Sequence, residues 1–228
     1  MKSELAQDTI LTLAILGGTG KEGSGLGLRW AYAGYEVIIG SRDADRARAV
    51  AETISEKLGQ AGVVHGAPNL EAARACDIAV LSVPYAAHRA TLESIKDALT
   101  GKILVDVTAP IDPDHRRKVR LPAGGSAGAE AQALLGEAVK VVSAFQNIGF
   151  GHLQDVGAPI DCDVLVTGDD PDAKQQVIAL AHAIGLAAFD AGPIENAVVA
   201  ESLVPALINI NVKFKVKSAG IRITGIPR

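Results

Sequence analysis

The stretch LTLAILGGTGKEGSGLGLRWAYAGYEVIIGSR, residues 11–42, decides the fold. It joins an apolar run (11–16), a glycine turn, a helical stretch and a second apolar run, EVIIG, that ends in Ser41 and Arg42. In the frame Gly18, Gly20, Gly23, the first glycine permits a tight turn. The second lets backbone approach a pyrophosphate, and the third lets helix and strand pack closely. The following helix points its first N–H groups at the phosphates. An NAD site places a carboxylate at the end of the second strand, about 20 residues on, to hold a ribose 2′-hydroxyl. Here that place holds Ser41 and Arg42, a hydroxyl and a donor fork suited to a 2′-phosphate. Arg46, one helical turn beyond Arg42, can reach the same phosphate. The reading is NADP(H) over NAD(H), with Asp43 and Asp45 as neighbours that could instead serve a ribose hydroxyl.

Composition bounds the rest. The 228 residues suffice for one large domain, or a domain plus a smaller lobe. With 48% hydrophobic and 21% charged residues the chain reads as globular, and its net charge of −4 argues against nucleic acid as a main partner. Cys76 and Cys162 are too far apart for a metal framework and read as buried small hydrophobes in a reducing compartment. MKSELAQDT has no apolar core of signal-peptide length, and no run reaches the length of a membrane span. The expectation is a cytoplasmic protein that does not enter a membrane.

Strands and helices alternate: strand 11–16, helix 22–33, strand 36–40, helix 43–58, strand near 62–65, helix near 69–75, strand 77–82. Then come helix 86–98, strand 102–107, helix 126–135 and strand 139–144. Unbroken apolar strands such as IAVLSV and ILVDV fit burial on both faces. The pattern predicts an α/β fold, a Rossmann-type doubly wound parallel sheet over residues 1–148. Residues 149–228 add strand 162–168, helix 171–184 opened by Pro171, strand 186–190 and a long C-terminal stretch. They are expected to form a smaller C-terminal α/β lobe closing over the cofactor. Residues 110–122, poor in apolar side chains and bearing His115-Arg116-Arg117-Lys118, read as a loop near the sheet's carboxyl edge. Within 208–217 the apolar and polar residues alternate as in a half-buried strand, yet Ile208, Val212 and Val216 are also spaced four apart. A helix from Asn196 towards Lys217, bent at Pro205, fits equally well.

The ordered set GGTGKEGSGLGLRWAYAGYEVIIGSRD, SVPYAAH, GSAGAEAQALL, KVVSAFQNI, VTGDD and DAGPIENAVVAESLVPALINI resembles the NADPH:coenzyme F420 oxidoreductase family. The resemblance runs from residue 11 to about 223. It implies a homodimer and hydride transfer between NADPH and the deazaflavin F420 in a cleft between two lobes. It also implies a largely helical segment after DAGP, which favours the helix over the strand at 208–217. Carried onto this chain, the pyrophosphate-binding turn is Thr19, Gly20, Lys21 and Glu22, and the 2′-phosphate set is Ser41, Arg42 and Arg46. Val83 and Pro84 match the cofactor-facing turn, and Tyr85 could pack on a cofactor ribose. Ala144, Gln146 and Asn147 border the place where the two rings meet. Gln146 stands where family members often carry His or Asn, and Ala219 where they carry a bulkier residue near the same ring.

Hydride transfer between two planar cofactors needs the donor and acceptor carbons near contact in a pocket that excludes water, with neither nucleophile nor metal. The sequence offers no catalytic acid/base pair and no metal-ligand spacing. His88 and His152, nearest the cleft, read as local hydrogen-bonding residues. From Ser202 to Arg228 there is no acid, while Lys213, Lys215, Lys217, Arg222 and Arg228 are basic, a field suited to the phosphodiester and polyglutamate tail of F420. Two alternatives stay open: an NADP(H)-dependent reductase of the same fold using a flavin or ferric chelate, and a module that senses NADP(H) without turnover.

Overall fold

A computed structural model of the chain describes residues 11–60 and 62–226; MKSELAQDT and Arg228 lie outside the described residues. The first half of the chain alternates strictly: β1 (Thr12–Leu16), α1 (Lys21–Tyr32), β2 (Glu36–Ser41), α2 (Ala44–Leu58), β3 (Val64–Pro68), α3 (Asn69–Ala75), β4 (Ile78–Leu81), α4 (Tyr85–Ile95) and β5 (Ile103–Asp106). It continues with α5 (Ala127–Leu135), β6 (Lys140–Ser143), the short α6 (Phe150–Leu153), β7 (Asp163–Gly168), α7 (Pro171–Ala183), β8 (Ala187–Asp190) and α8 (Ala197–Phe214).

One sheet runs in the order β3-β2-β1-β4-β5-β6-β7-β8. The first six strands are parallel, β7 pairs antiparallel to β6, and β8 runs parallel to β7. The doubly wound parallel sheet read from the sequence is therefore present, and β7 and β8 extend it. Because side chains alternate across a strand, Leu13, Ile15, Val37, Ile39, Val80 and Val105 pack on one face with Leu26 and Trp30 of α1. Ala14, Leu16, Ala79, Leu81 and Leu104 pack on the other with Leu92, Ile95 and Ala131.

Local chemistry sets the element ends. The Asp43 carboxylate accepts from the Asp45 and Arg46 N–H groups and caps α2, which stops at Gly59 in the left-handed conformation. Asp170 caps α7 with Pro171 in its first turn, and Ser126 caps α5. The helix expected over 86–98 is α4 followed by a tight 3-10 turn at Lys96–Leu99.

The segment that permitted two readings is helical. Its buried positions Ala197, Ala200, Glu201, Pro205 and Leu207 form a stripe against α5 and β7, so helical packing prevails over the alternation. The helix ends at Phe214, three residues short of Lys217, because Lys215 takes a left-handed conformation with φ 55°. By length and composition Ile194–Phe214 could cross a membrane. In this fold it carries the buried Glu201, whose carboxylate accepts from the Ala127 and Gly128 N–H groups at the start of α5.

A second polar anchor fixes the segment between β6 and β7. The Arg29 guanidinium of α1 donates to the carbonyls of His152 (2.7 Å), Ala158 (3.1 Å), Asp155 and Ile184 (3.3 Å). Trp30 stands edge-on to Phe145 with centroids 5.6 Å apart and donates its indole N–H to the Leu180 carbonyl.

Candidate functional site

The carboxyl end of β1, flanked by β2 on one side and β4 on the other, is the point where strand order reverses, and open α/β sheets bind ligands at such points. The glycine turn sits there. Gly17, rather than Gly18, takes the left-handed conformation, with φ 72°, and its N–H donates to the Asn69 side-chain oxygen at 3.1 Å. Gly18 is needed for space: a Cβ there would lie 2.6 Å from the Ile15 carbonyl oxygen. A Cβ on Gly23 would meet the Gly18 Cα at 2.8 Å, the close packing expected of the third glycine. Gly20 differs, since a Cβ there meets nothing within 4 Å. The space above it is open, and the start of α1 has no side-chain cap.

Two cavities meet over this turn. The first, about 620 Å³, is lined by Thr19, Gly20, Ser41, Arg42 and Arg46, with Asn69. The second, about 440 Å³, is lined by Lys21, Glu22, Tyr85, Thr108, Arg116 and Gln146. Gly20, Ser82, Val83 and Pro84 belong to both walls. The loop expected over 110–122 carries Ile111, Pro113 and Arg116 into the second cavity.

In the first cavity neither Arg42 nor Arg46 has an ion-pair partner among the described residues, so two donor forks face open space beside Thr19 and Gly20. The acids that offered an alternative are engaged. Asp43 is the cap of α2, and Asp45 pairs with Arg48. The Ser41 hydroxyl accepts from the Asp43 N–H at 3.1 Å and keeps its proton to donate.

The second cavity has a polar wall with unused capacity. The Gln146 amide N–H groups donate to the Asp106 carbonyl (2.8 Å) and the Ser143 hydroxyl (2.7 Å), which fixes the side chain; its Oε1 is enclosed with no donor among the described residues. Phe145 just before it is held at φ 73°, an uncommon conformation for an aromatic residue, with its ring clamped by Trp30. Thr108 Oγ1 and Glu22 Oε1 are likewise enclosed with no hydrogen-bond partner among the described residues. Burial pushes the Glu22 carboxyl up to about 8. Tyr85 donates its hydroxyl to Glu130 Oε2 at 2.7 Å; burial and that hydrogen bond push it up to about 12.

Behind this wall lies a charged cluster. His88 of α4 meets the fully buried Asp106 at the end of β5, and Asp106 Oδ1 accepts from the Thr108 N–H at 2.9 Å. Burial works to lower His88, but the hydrogen bond and charge of Asp106, with Glu130 and Glu201 beyond, hold it above its ordinary value. Burial pushes Glu201 up to about 7 against the pull of the Gly128 and Ala127 N–H groups.

The remaining residues named from the sequence lie outside both cavity walls. Gly18 shapes the turn from beneath, its N–H shared between the Ile15 and Gly40 carbonyls. Ala144 is buried and donates its N–H to the Asp106 carbonyl. The Asn147 amide donates to the Asp163 carbonyl at 2.8 Å, and the Ala219 N–H donates to the Asn211 side chain. His152 hydrogen-bonds the Ser218 carbonyl at 2.9 Å, a partner 66 residues on rather than a local one. Sequence reasoning did not single out Asn69, Thr108 or Glu201. Asn69, which directly follows Pro68 at the end of a strand, carried a readable signal; the other two depend on contacts distant in the chain.

Sheet order, glycine turn and paired cavities define an α/β oxidoreductase of the dinucleotide-binding class. Residues 12–110 match the family model described as NADP oxidoreductase, coenzyme F420-dependent. The chain is 44% identical over 223 residues to the F420-dependent NADP reductase of Methanothermobacter marburgensis, covering 95% of this chain and all of that one. It is 41% identical to the protein of the same name from Methanocaldococcus jannaschii, over 95% of this chain and 99% of the other. A crystal structure of a candidate F420-dependent NADP reductase from Arthrobacter sp. FB24 superposes with a TM-score of 0.81 at 30% identity, covering 94% of this chain and all of that chain. This chain belongs to the F420-dependent NADP reductase family.

Proposed function

We propose that the protein transfers a hydride between NADP(H) and coenzyme F420. The observation that carries this reading is the pair of cavities sharing Gly20, Ser82, Val83 and Pro84. One is lined by Arg42 and Arg46, which have no ion-pair partner among the described residues, and the other by Gln146, fixed by two hydrogen bonds, with Thr108 and Tyr85. Both groups fit the residues present: the open space above Gly20 and the uncapped start of α1 accept a pyrophosphate, and Arg42 and Arg46 accept a 2′-phosphate. Thr19, Gly20, Lys21 and Glu22 hold the pyrophosphate over the turn shaped by Gly18, while Val83 and Pro84 face the nicotinamide half. Gln146 stands on the wall of the second cavity beside a ring bound there, fixed by its bonds to the Asp106 carbonyl and the Ser143 hydroxyl; Ala144 bonds the same Asp106 carbonyl from behind, and Asn147 and Ala219 lie further out. When bound, NADPH supplies the hydride and F420 accepts it. The protein orients the two and excludes water.

The test is direct. Protein, NADPH and F420 are mixed, and the deazaflavin's visible absorbance is followed. It bleaches if the reading holds; an unchanged absorbance with NADPH binding intact would refute F420 as the partner.

The reading extends to a cytoplasmic homodimer. Support for the dimer comes from α8, where Val199, Ile210, Val212 and Phe214 are exposed apolar residues on one helix. Sedimentation should give twice the chain mass, and Phe214→Glu should shift it towards monomer. A monomeric wild type would refute the dimer.

A further inference from the structure

Glu22 presents a conflict that the cofactor reading alone does not resolve. It is the second residue of α1, on the turn that holds a pyrophosphate under that reading, and a carboxylate there would repel a doubly charged group. Its Oε1 is enclosed and has no hydrogen-bond partner among the described residues, yet the residue lines the second cavity. Two further enclosed and unpartnered atoms, Thr108 Oγ1 and Gln146 Oε1, belong to residues that line the same cavity. Buried polar atoms normally find partners, and an ionised carboxylate enclosed without a donor is costly, so the enclosed Oε1 favours the neutral acid at Glu22. Thr108, only 3% exposed, can donate or accept, whereas Gln146 Oε1 can only accept. An ionised Glu22 could only accept, and the phosphates of a dinucleotide offer no donor.

We propose that Glu22 binds NADP(H) as a neutral carboxylic acid, donating its proton in a hydrogen bond to an oxygen of the cofactor, so that cofactor affinity is linked to the protonation of this one side chain. The proposal rests on the NADP(H) reading above. The carboxyl's position near 8 makes the acid the resting form at neutral pH, and binding weakens once the proton is lost. Other ionisable groups stand on the elements that border this cavity or pack on α1. Lys21, Tyr85 and Arg116 share the cavity. Lys21 also lies over the Phe150 ring, His152 is turned to the Ser218 carbonyl, and Glu201 is held by α5.

The experiment measures the NADPH dissociation constant by titration calorimetry of the full chain between pH 7 and 9.5, above the titration of the 2′-phosphate. The wild-type constant is expected to be flat to about pH 8 and then to rise about tenfold per pH unit. Repeating the titration at pH 8.5 in buffers of different ionisation heat should show net proton uptake on binding. Glu22→Gln, which keeps a neutral donor of the same size, should bind with a constant that is flat throughout and take up no proton. A flat wild-type profile without proton uptake overturns the proposal, as does an unchanged slope in Glu22→Gln. If that variant does not fold, the wild-type proton uptake decides alone. Absence of NADPH binding at every pH overturns the cofactor reading itself, and that outcome is distinct from binding that ignores pH.

Discussion

His88 Nε2 lies 2.6 Å from Asp106 Oδ2, and both side chains are almost wholly buried. This pair ties α4 to the end of β5, where the Asp106 carbonyl also receives the Gln146 amide. Removing one partner of such a pair leaves an uncompensated buried charge, so Asp106→Asn should cost about 3–5 kcal/mol in urea unfolding. The pH dependence has a definite sign. His88 is held above its ordinary 6.5, so its contribution is complete below 6.5 and is lost as pH rises through the folded value. Wild-type stability should therefore fall as pH rises above 6.5, and Asp106→Asn should lose the His88 share of that slope while keeping the share of Glu22, whose carboxyl is raised to about 8. An equally steep slope in the variant would separate His88 from the effect.

Glu201 should produce a second, lower window. Its ordinary value is 4.5 and its folded value about 7, raised by burial, so the fold binds the proton more tightly than the unfolded chain does. Stability is then greatest below 4.5 and declines as pH rises from 4.5 to 7. Glu201→Gln keeps one acceptor for the start of α5 and loses the other, costing about 1 kcal/mol at low pH. Its unfolding midpoint should decline across 4.5–7 less steeply than that of the wild type, the remaining slope belonging to Glu22, which burial raises from 4.5 to about 8. A decline as steep as that of the wild type would show that another group titrates there.

These two sites also show where sequence reading stops. The glycine turn, the end of β2 at Ser41 and the alternating strands are local: backbone space, capping and period two can be read within about thirty residues. The helix at 208–214 was ambiguous because its residues are mostly exposed, so neither period is enforced by burial. What settles it is the Glu201 stripe on α5, a contact across more than seventy residues. The enclosed Thr108 Oγ1 and the four carbonyls gathered by Arg29 are of the same kind. No spacing in the chain announces them, because each depends on segments that meet only once the sheet has formed.

Arg42→Ala should separate the two nicotinamide dinucleotides. The guanidinium lines the first cavity beside Asp43, whose carboxylate caps α2 and forms no ion pair with it, and a charge-assisted bond to a 2′-phosphate contributes about 2 kcal/mol, or roughly thirtyfold in affinity. NADPH should bind about thirtyfold more weakly to the variant, while NADH, which has no such phosphate, should be unaffected. Thermal stabilisation by each dinucleotide provides the readout. Equal losses for both would assign Arg42 to the shared part of the ligand.

Gly20→Ala and Gly18→Ala form a matched pair that distinguishes space kept for a ligand from space required by the fold. Gly20 has φ −81° and ψ 167°, a conformation alanine adopts freely, and an added Cβ meets no protein atom within 4 Å. Gly20→Ala should therefore unfold at the wild-type temperature. Its methyl group projects from the turn shared by both cavities, and NADPH affinity should fall tenfold or more, about 1.4 kcal/mol or above. At Gly18 the Cβ would press to 2.6 Å from the Ile15 carbonyl oxygen and 3.0 Å from the Ile15 side chain. Backbone must shift to admit it, at about 1–3 kcal/mol, so this variant should lose thermal stability even without ligand. If Gly20→Ala instead melts early and binds NADPH normally, the open space above the turn serves the fold, and the pyrophosphate must lie elsewhere.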